Sequence, residues 1–371
     1  MRILFCTLDY PPSPAGGAER QAQLQAEALV HMGHYVDVVC PRTGGWRSAA
    51  QNGVRVHRLP RMGKGVPGTL SYLLCMWAFL MLRVRSFDLV HVHLANLQAD
   101  VAVAVARLFS RPTYVKLAAG GPLGEIGRMR RLSLLTRNYG IRHADLVQAI
   151  SEEIESDLLA IGVRPGRIRS IPNGVRIPSE RPTDVERETA RRGLHLPQGC
   201  FVALYVGRME RDKGVKDLLE AWDGMDASRH LLVLLGSLGT KHPVPISGLP
   251  TGVIHRPWSD NVNRYLAAAD VLVLPSHTEG MSNALLEAMA HGIATVATRV
   301  GAASLLLNSG ESGILVDAQD VTELRHAIQY LADDDEARRL MGEAARRRVA
   351  RYSIESVARQ IDAAYRSLLS H

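Results

Sequence analysis

A chain of 371 residues divides, at roughly 150 residues per domain, into two domains rather than one small module. Apolar residues make up 46% and charged residues 22%, without a polar low-complexity tract, which excludes a disordered chain and supplies sizeable cores. The formal charge of +7 is uneven: Met1 to Glu180 holds 22 Lys and Arg against 13 Asp and Glu, or +9, and the remainder holds 22 against 24, or −2.

In chain order, Arg2 to Thr7, Val36 to Cys40, Val54 to Leu59, Leu89 to His93, Thr113 to Leu117, Leu146 to Ile150 and Ile168 to Ile171 read as strands. Helical patterns lie between them. Ala18 to Met32 carries apolar Ala22, Leu24, Ala28 and Leu29 among polar residues, and Gly33 stands where a helix-terminating glycine belongs. Strand, helix, strand at this spacing is a βαβ unit, so the sheet is expected to be parallel. After the proline- and charge-rich stretch Pro172 to Gly199, read as a linker, the rhythm restarts. Phe201 to Val206, Leu231 to Leu235, Gly252 to His255, Val271 to Leu274, Ala294 to Ala297 and Ile314 to Val316 are the strands of a second sheet. The apolar Leu70 to Leu82 falls short of the roughly 20 residues that cross a bilayer. It reads as a helix buried on the sheet, or as an interfacial one, because Arg61, Lys64, Arg83 and Arg85 flank it. The last helix, Ser353 to Leu369, has an apolar stripe of Ile354, Val357, Ile361 and Tyr365.

The amino terminus, a strand-like run followed by Asp9 and prolines, lacks the layout of a cleavable signal, and the expectation is a cytoplasmic chain. Cys6, Cys40, Cys75 and Cys200 are dispersed, so neither a zinc site nor a disulfide scaffold is expected. Arg61 to Arg142 holds 12 basic and three acidic residues, which suits an anionic partner. Nucleic acid is disfavoured by five Phe in the whole chain and by the lack of any recognition-helix, RNP or zinc-finger pattern.

Chemistry is expected beyond the carboxyl ends of parallel strands. After the first strand, Gly16 and Gly17 open a helix, an arrangement that lets backbone N–H groups approach an anion; the alternative is a plain tight turn. A nicotinamide fingerprint is absent there, since GxGxxG is missing and the second strand ends on Cys40-Pro41. The second sheet opens with Gly207-Arg208 and Lys213-Gly214, where a forked donor and a point charge suit a diphosphate; a solvated charged loop is the other reading. Pro275 to Gly292 carries Glu279 on a glycine-containing loop and Glu287 among Leu285, Leu286 and Met289 on a helix. Along a continuous helix those carboxylates would be about 12 Å apart, beyond the roughly 5 to 9.5 Å of a hydrolytic pair. Asp333-Asp334-Asp335 precedes an Arg-rich helix and reads as charge complementarity at a helix start rather than a metal motif.

The run Pro275 to Gly292, taken with the Gly16-Gly17 loop, His91-Val92-His93, Ile171-Pro172-Asn173-Gly174-Val175, Gly207-Arg208, Lys213-Gly214 and Gly310 to Val316, resembles the family 4 glycosyltransferases. The resemblance implies the retaining GT-B fold: two Rossmann-like domains facing across a cleft, with the C-terminal helix crossing back to the first domain. It divides the chain into an acceptor-side domain, 1–172 with 353–371 packing back on it, and a nucleotide-sugar-binding domain, 173–352. It implies that Glu287 binds ribose hydroxyls and that Glu279, with Gly280 and Met281 after it, holds the sugar ring. Arg208 and Lys213 neutralise the diphosphate, assisted by the helix start at Ser282 and Asn283, and Gly16 and Gly17 close on the phosphate. The cofactor expectation is none, the donor being a UDP or GDP sugar. Where many members carry a His, strand alignment places Ala118, so no general base carries over; the leaving phosphate can take the acceptor proton. His93 is the substitute candidate, although with His91 beside it one of the two is expected to be structural.

The reading is therefore a glycosyltransferase acting in glycolipid, cell-envelope polysaccharide or metabolite synthesis. A nucleotide-sugar 2-epimerase and a non-catalytic nucleotide-sugar binder are the alternatives. The basic segment, with Arg128, Arg130 and Arg131, and Leu70 to Leu82 point to an anionic membrane or a lipid-linked acceptor.

Overall fold

The computed structural model describes residues 1–12, 16–43, 48–121, 124–127, 138–239 and 243–370, so Arg128, Arg130 and Arg131 lie outside the described residues. The chain forms two compact units, Met1–Gly174 with Ile354–His371, and Val175–Ser353.

Unit 1 holds strands β1 (Arg2–Cys6), β2 (Tyr35–Pro41), β3 (Ala49–Gln51), β4 (Val54–Leu59), β5 (Leu89–His93), β6 (Thr113–Lys116), β7 (Leu146–Ala149) and β8 (Ile168–Ser170). They form one sheet in the order β3-β4-β2-β1-β5-β6-β7-β8. All neighbours are parallel except β3 and β4. The antiparallel edge strand was not expected. Its hairpin turns on Asn52 and Gly53, both at positive φ (48° and 79°), the backbone twist that a two-residue turn requires. Between the strands lie α1 (Gly17–His31), α2 (Gly65–Arg83), α3 (Leu97–Leu108), α4 (Tyr139–His143) and α5 (Glu152–Ala160). Central strands are buried on both faces, and their runs of Val, Ile and Leu follow from that.

Unit 2 holds β9 (Phe201–Val206), β10 (His230–Leu235), β11 (Val253–Arg256), β12 (Val271–Leu274), β13 (Ala294–Thr298) and β14 (Ile314–Val316), all parallel in the order β11-β10-β9-β12-β13-β14. Its helices are α6 (Asp184–Gly193), α7 (Val215–Trp222), α8 (Val262–Ala268), α9 (Asn283–His291), α10 (Ala303–Leu306), α11 (Val321–Asp333) and α12 (Asp335–Val349). The stretch read as a linker thus contains α6. A capping box between Thr183 and Glu186 starts that helix, and Arg187 and Arg191, each 2.7 Å from Asp270, fasten it to the unit. The triple-aspartate run serves a helix start: Asp334 accepts from the Ala337 amide at 2.8 Å, and Asp335 pairs with Arg338.

The last helix, α13 (Ile354–Leu369), belongs to unit 1, where Val357, Ile361 and Tyr365 join Ile3, Phe5, Val36 and Tyr114 in one core. The Tyr365 hydroxyl shares a hydrogen bond with His91 Nδ1, and Tyr114 meets both rings edge-on. Burial holds His91 neutral, with its pKa well below the usual range.

One helix departs from expectation. α2 is 19 residues long, and only Gly68, Tyr72, Met76 and Leu80 face inward. Leu70, Leu74 and Leu82 are 60%, 65% and 84% exposed, and Trp77 is 47% exposed, so the reading of a helix buried on the sheet is corrected: its outer face is apolar and open. With the turn that follows, Gly65–Ser86 is long and apolar enough to cross a membrane by length and composition, with a mean hydropathy of 1.6. The inward face and its packing on α3 and β4 describe a surface helix instead.

Replacing Tyr365 by Phe strips a buried histidine nitrogen of its partner and should cost about 1–3 kcal/mol. Calorimetric unfolding of wild type and variant measures it, and an unchanged melting temperature would show that the α13 contact is carried by packing alone.

Candidate functional site

In unit 2 the loops after β9, β12 and β13 interlock, and glycines make this possible. The Tyr205 hydroxyl reaches past Gly207 to donate to the Arg208 carbonyl at 2.8 Å; a Cβ on Gly207 would lie 2.5 Å from that oxygen. Gly214, at φ 66°, brings the first loop so close to the second that a Cβ there would lie 1.8 Å from the Pro275 carbonyl oxygen. Two residues after Pro275, His277 donates its amide to the Asp212 carbonyl at 2.9 Å, and its ring stands 2.6 Å from Asp217 on α7. Gly301, at φ 54°, packs the third loop behind Glu279 and Gly280, and the Ala302 amide donates to the Gly280 carbonyl at 2.8 Å.

This zip sets the charged groups. Lys213 Nζ lies 2.5 Å from Glu279 Oε2, both partly buried, and the guanidinium of half-exposed Arg208 lies 2.9 Å from Glu210, whose side chain is buried. Lys213 therefore touches the expected sugar-ring carboxylate, and each of the two expected cations is matched by an acid. Glu210 and the Lys213–Glu279 pairing were not anticipated. Glu210 carried a signal, an acid two residues after the arginine on the same loop. Met281 is buried, Ser282 caps α9 by accepting from the Leu285 amide at 3.3 Å, and Asn283 begins the helix. Glu287, half-buried, lies one turn further along α9. A pocket within the unit is lined by Leu274, Ser276, Glu279, Ser282, Leu285, Thr298 and Ala302.

In unit 1, Gly16 caps α1 and Gly17 is its first residue, both exposed. Glu19 folds back on this turn. Burial raises its carboxyl pKa, as does Asp9, against hydrogen bonds from the Glu19 and Gly16 amides. Ala118 ends the run after β6, where the Glu125 carboxylate accepts from the Ala118 and Ala119 amides, each at 2.8 Å. His93 is in the interior, 1% exposed and stacked on His91 with ring centroids 4.2 Å apart. Burial first, then His91 and Lys116, hold it neutral, with its pKa well below the usual range. Among the described residues no cluster of three or more His, Cys, Asp or Glu is disposed to hold a metal.

Two family models match the chain: a glycosyl transferase 4-like domain over residues 16–174 and the glycosyl transferases group 1 over residues 200–334. The chain is 26% identical over 360 residues to a teichuronic acid biosynthesis glycosyltransferase of Bacillus subtilis, covering 88% of each protein. It is 36% identical over 202 residues to a D-inositol 3-phosphate glycosyltransferase of Corynebacterium urealyticum, covering 50% of this chain and 47% of that one. Its fold is similar to that of Anabaena Alr3699/HepE in complex with UDP-glucose, with a TM-score of 0.81, 20% identity, and coverage of 99% of this chain and 100% of that one.

Gly214→Ala should destabilise unit 2 more than Gly162→Ala destabilises unit 1. Both force a side chain into positive φ, at about 1–3 kcal/mol, but Gly162 has nothing within 4 Å of a new Cβ, whereas Gly214 meets Pro275. Calorimetry on the two variants makes the comparison, and equal losses would mean that the loops are not locked at this point.

Proposed function

We propose, for a chain that belongs to the family 4 glycosyltransferases of GT-B fold and takes its sugar from a nucleotide donor, that a hexosyl group is transferred with retention of configuration, without a metal, to an acceptor at the cytoplasmic face of an anionic membrane. The observation that carries the donor half is the contact of Glu279 with Lys213, on a loop that also carries Arg208. Leaving of the nucleoside diphosphate puts negative charge on the phosphate and positive character on the sugar, and fixed cations there stabilise the transition state. Arg208 offers a forked donor and Lys213 a point charge. An entering diphosphate competes with Glu279 for Lys213, which frees that carboxylate for the sugar hydroxyls. Glu287 accepts from the ribose hydroxyls, and the start of α9 at Ser282 and Asn283 faces the phosphate with its positive end.

With Ala118 in place of a base and His93 sealed in the interior, the leaving phosphate takes the acceptor's proton as it attacks from the front face. The named relatives are transferases, which favours transfer over the epimerase and binder readings. The Bacillus relative's role in teichuronic acid biosynthesis supports a cell-envelope product, and the UDP-glucose held by Alr3699/HepE supports a UDP sugar.

The membrane half rests on α2. Its open apolar face, with Arg61, Lys64, Arg83 and Arg85 at the ends, matches the charge and polarity of an anionic bilayer surface. Each such cation contributes about 1 kcal/mol near the surface.

A thermal-shift panel of UDP and GDP sugars identifies the donor, since a ligand at 100 times its dissociation constant stabilises by about 2.7 kcal/mol. With that donor, Arg208→Ala and Lys213→Ala should each lower turnover about a hundredfold or more, and EDTA should leave wild-type turnover unchanged. Near wild-type turnover of both variants at saturating donor would refute the cationic clamp. For the membrane half, wild type should pellet with vesicles containing phosphatidylglycerol and be released by salt. A Leu70→Ser, Leu74→Ser, Trp77→Ser variant should stay in the supernatant, and pelleting equal to wild type would exclude α2 as the docking face.

A further inference from the structure

The chain leaves unit 1 after Gly174 and returns at Ile354, and the two crossings run side by side. A Cβ on Gly174 would lie 2.7 Å from Ile354 Cδ1, and on the far side the Val175 amide donates to the Tyr352 carbonyl at 2.9 Å. Three buried polar side chains from three elements grip the four residues that lead to the first crossing. Gln148 on β7 donates to the Ile171 carbonyl at 2.7 Å. Lys116, the last residue of β6, donates Nζ to Asn173 Oδ1 at 2.8 Å. Gln21 on α1 donates to the Gly174 carbonyl at 2.7 Å and accepts from the Gly174 amide at 3.0 Å. Gln21 lies four residues after Gly17, so one turn of helix joins the crossing to the Gly16-Gly17 turn.

Gln148 and Gln21 are neutral amides, for which burial with matched partners is inexpensive. Lys116 is different. It is 2% exposed, and among the described residues its ammonium has one hydrogen-bond partner, which is itself neutral. A fold that needed only a tie to Asn173 would be served by another amide; an ammonium so placed is strong when charged and weaker when not. We infer that Lys116 is a positioning residue: in its charged form it fixes Asn173 and Gly174, and through Gln21 the Gly16-Gly17 turn, and on losing its proton it loosens both. Burial pushes the Lys116 pKa down to about 7, against the attraction of Glu125 on the following loop. The titratable groups packed near it on β5 and β6, His91, His93 and Tyr114, are buried and uncharged at neutral pH, and Gln148 on β7 carries no charge. Glu125 is therefore the charged group that sets its balance.

The role given to the Gly16-Gly17 turn rests on the donor reading above, so the test separates the two. Hydrogen exchange of the full chain, corrected for the intrinsic pH dependence, is followed at pH 6.0 and 8.5 in peptides covering residues 16–24 and 172–177. Wild type should lose about tenfold in protection at both segments, the ratio between a charge-assisted and a neutral hydrogen bond. Lys116→Met should show low protection at both pH values, and Asn173→Asp, which supplies the ammonium with an anion, should keep protection at pH 8.5. An independent readout guards against a misfolded variant. Global unfolding brings Lys116 into water, where a lysine holds its proton to about pH 10.4, while the folded Lys116 releases it near 7, so global stability should rise with pH between these values relative to Lys116→Met. The local loosening, in which Lys116 stays buried and only its bond to Asn173 is lost, should run the other way. Exchange at both segments that is unchanged by pH in wild type, or the same pH response in Lys116→Met, overturns the inference. UDP titrated by calorimetry at the two pH values completes the test. Affinity should fall at pH 8.5 in wild type and be insensitive to pH in Lys116→Met; absence of UDP binding at either pH counts against the donor reading and leaves the exchange result to judge Lys116.

Discussion

Burial of a parallel sheet on both faces is the constraint from which the placement of every polar group follows. Val, Ile and Leu fill the strand interiors of both units, so a functional side chain has room only where a strand ends and the backbone turns toward a helix. His93, Lys116 and Ala118 stand at or just after such ends in unit 1, and Arg208, Glu279 and Thr298 do so in unit 2. The two units use the same position differently. In unit 1 the strand ends are closed over, and the ionisable groups there are interior. In unit 2 they remain partly open, and the charges there are paired.

That pairing keeps the charges on these loops close to balance. Two unpaired cations on one loop would repel each other; with Glu210 and Glu279 beside them their charges are balanced and their side chains held in place. Positive-φ glycines at 214 and 301 make the arrangement, because each lets a loop approach a carbonyl that a side chain would strike. Preorganisation of this kind places the rigidity in backbone contacts and leaves the charged side chains free to change partners.

Much of this was legible in the sequence, and the exceptions share a cause. The thirteen strands read from apolar runs are all present, since length and β-branched content report burial directly. The edge strand β3 escaped because Ala49, Ala50 and Gln51 have no such pattern, although Asn52-Gly53 marked the turn beside it. Helix α6 was hidden in a charged stretch, of which Arg187 and Arg191 are used inside the unit against Asp270. α2 was misjudged because an apolar run states only that a helix avoids water, not which apolar phase it meets. In the site, motif spacing indicated Arg208, Lys213, Glu279 and Glu287, but not that Lys213 and Glu279 touch, since 66 residues separate them along the chain. A lysine at the end of a strand likewise gives no sign of being buried until the turn at Asn173 is folded over it.

The composition of unit 1 from both ends of the chain has a consequence for its synthesis. Domains ordinarily fold in the order in which they leave the ribosome, amino-terminal first. Here Val357, Ile361 and Tyr365 complete the core that Ile3 and Phe5 begin, so the first 174 residues must wait for the last to be translated. Unit 2, continuous from Val175 to Ser353, has its whole sequence earlier. During that interval the surface of unit 1 that α13 will cover is exposed along with the outer face of α2. A chaperone that shields amino-terminal apolar segments, or early contact with a bilayer, would matter most in that window, and an early stop codon before residue 354 would yield a chain in which the later half folds and the earlier half does not.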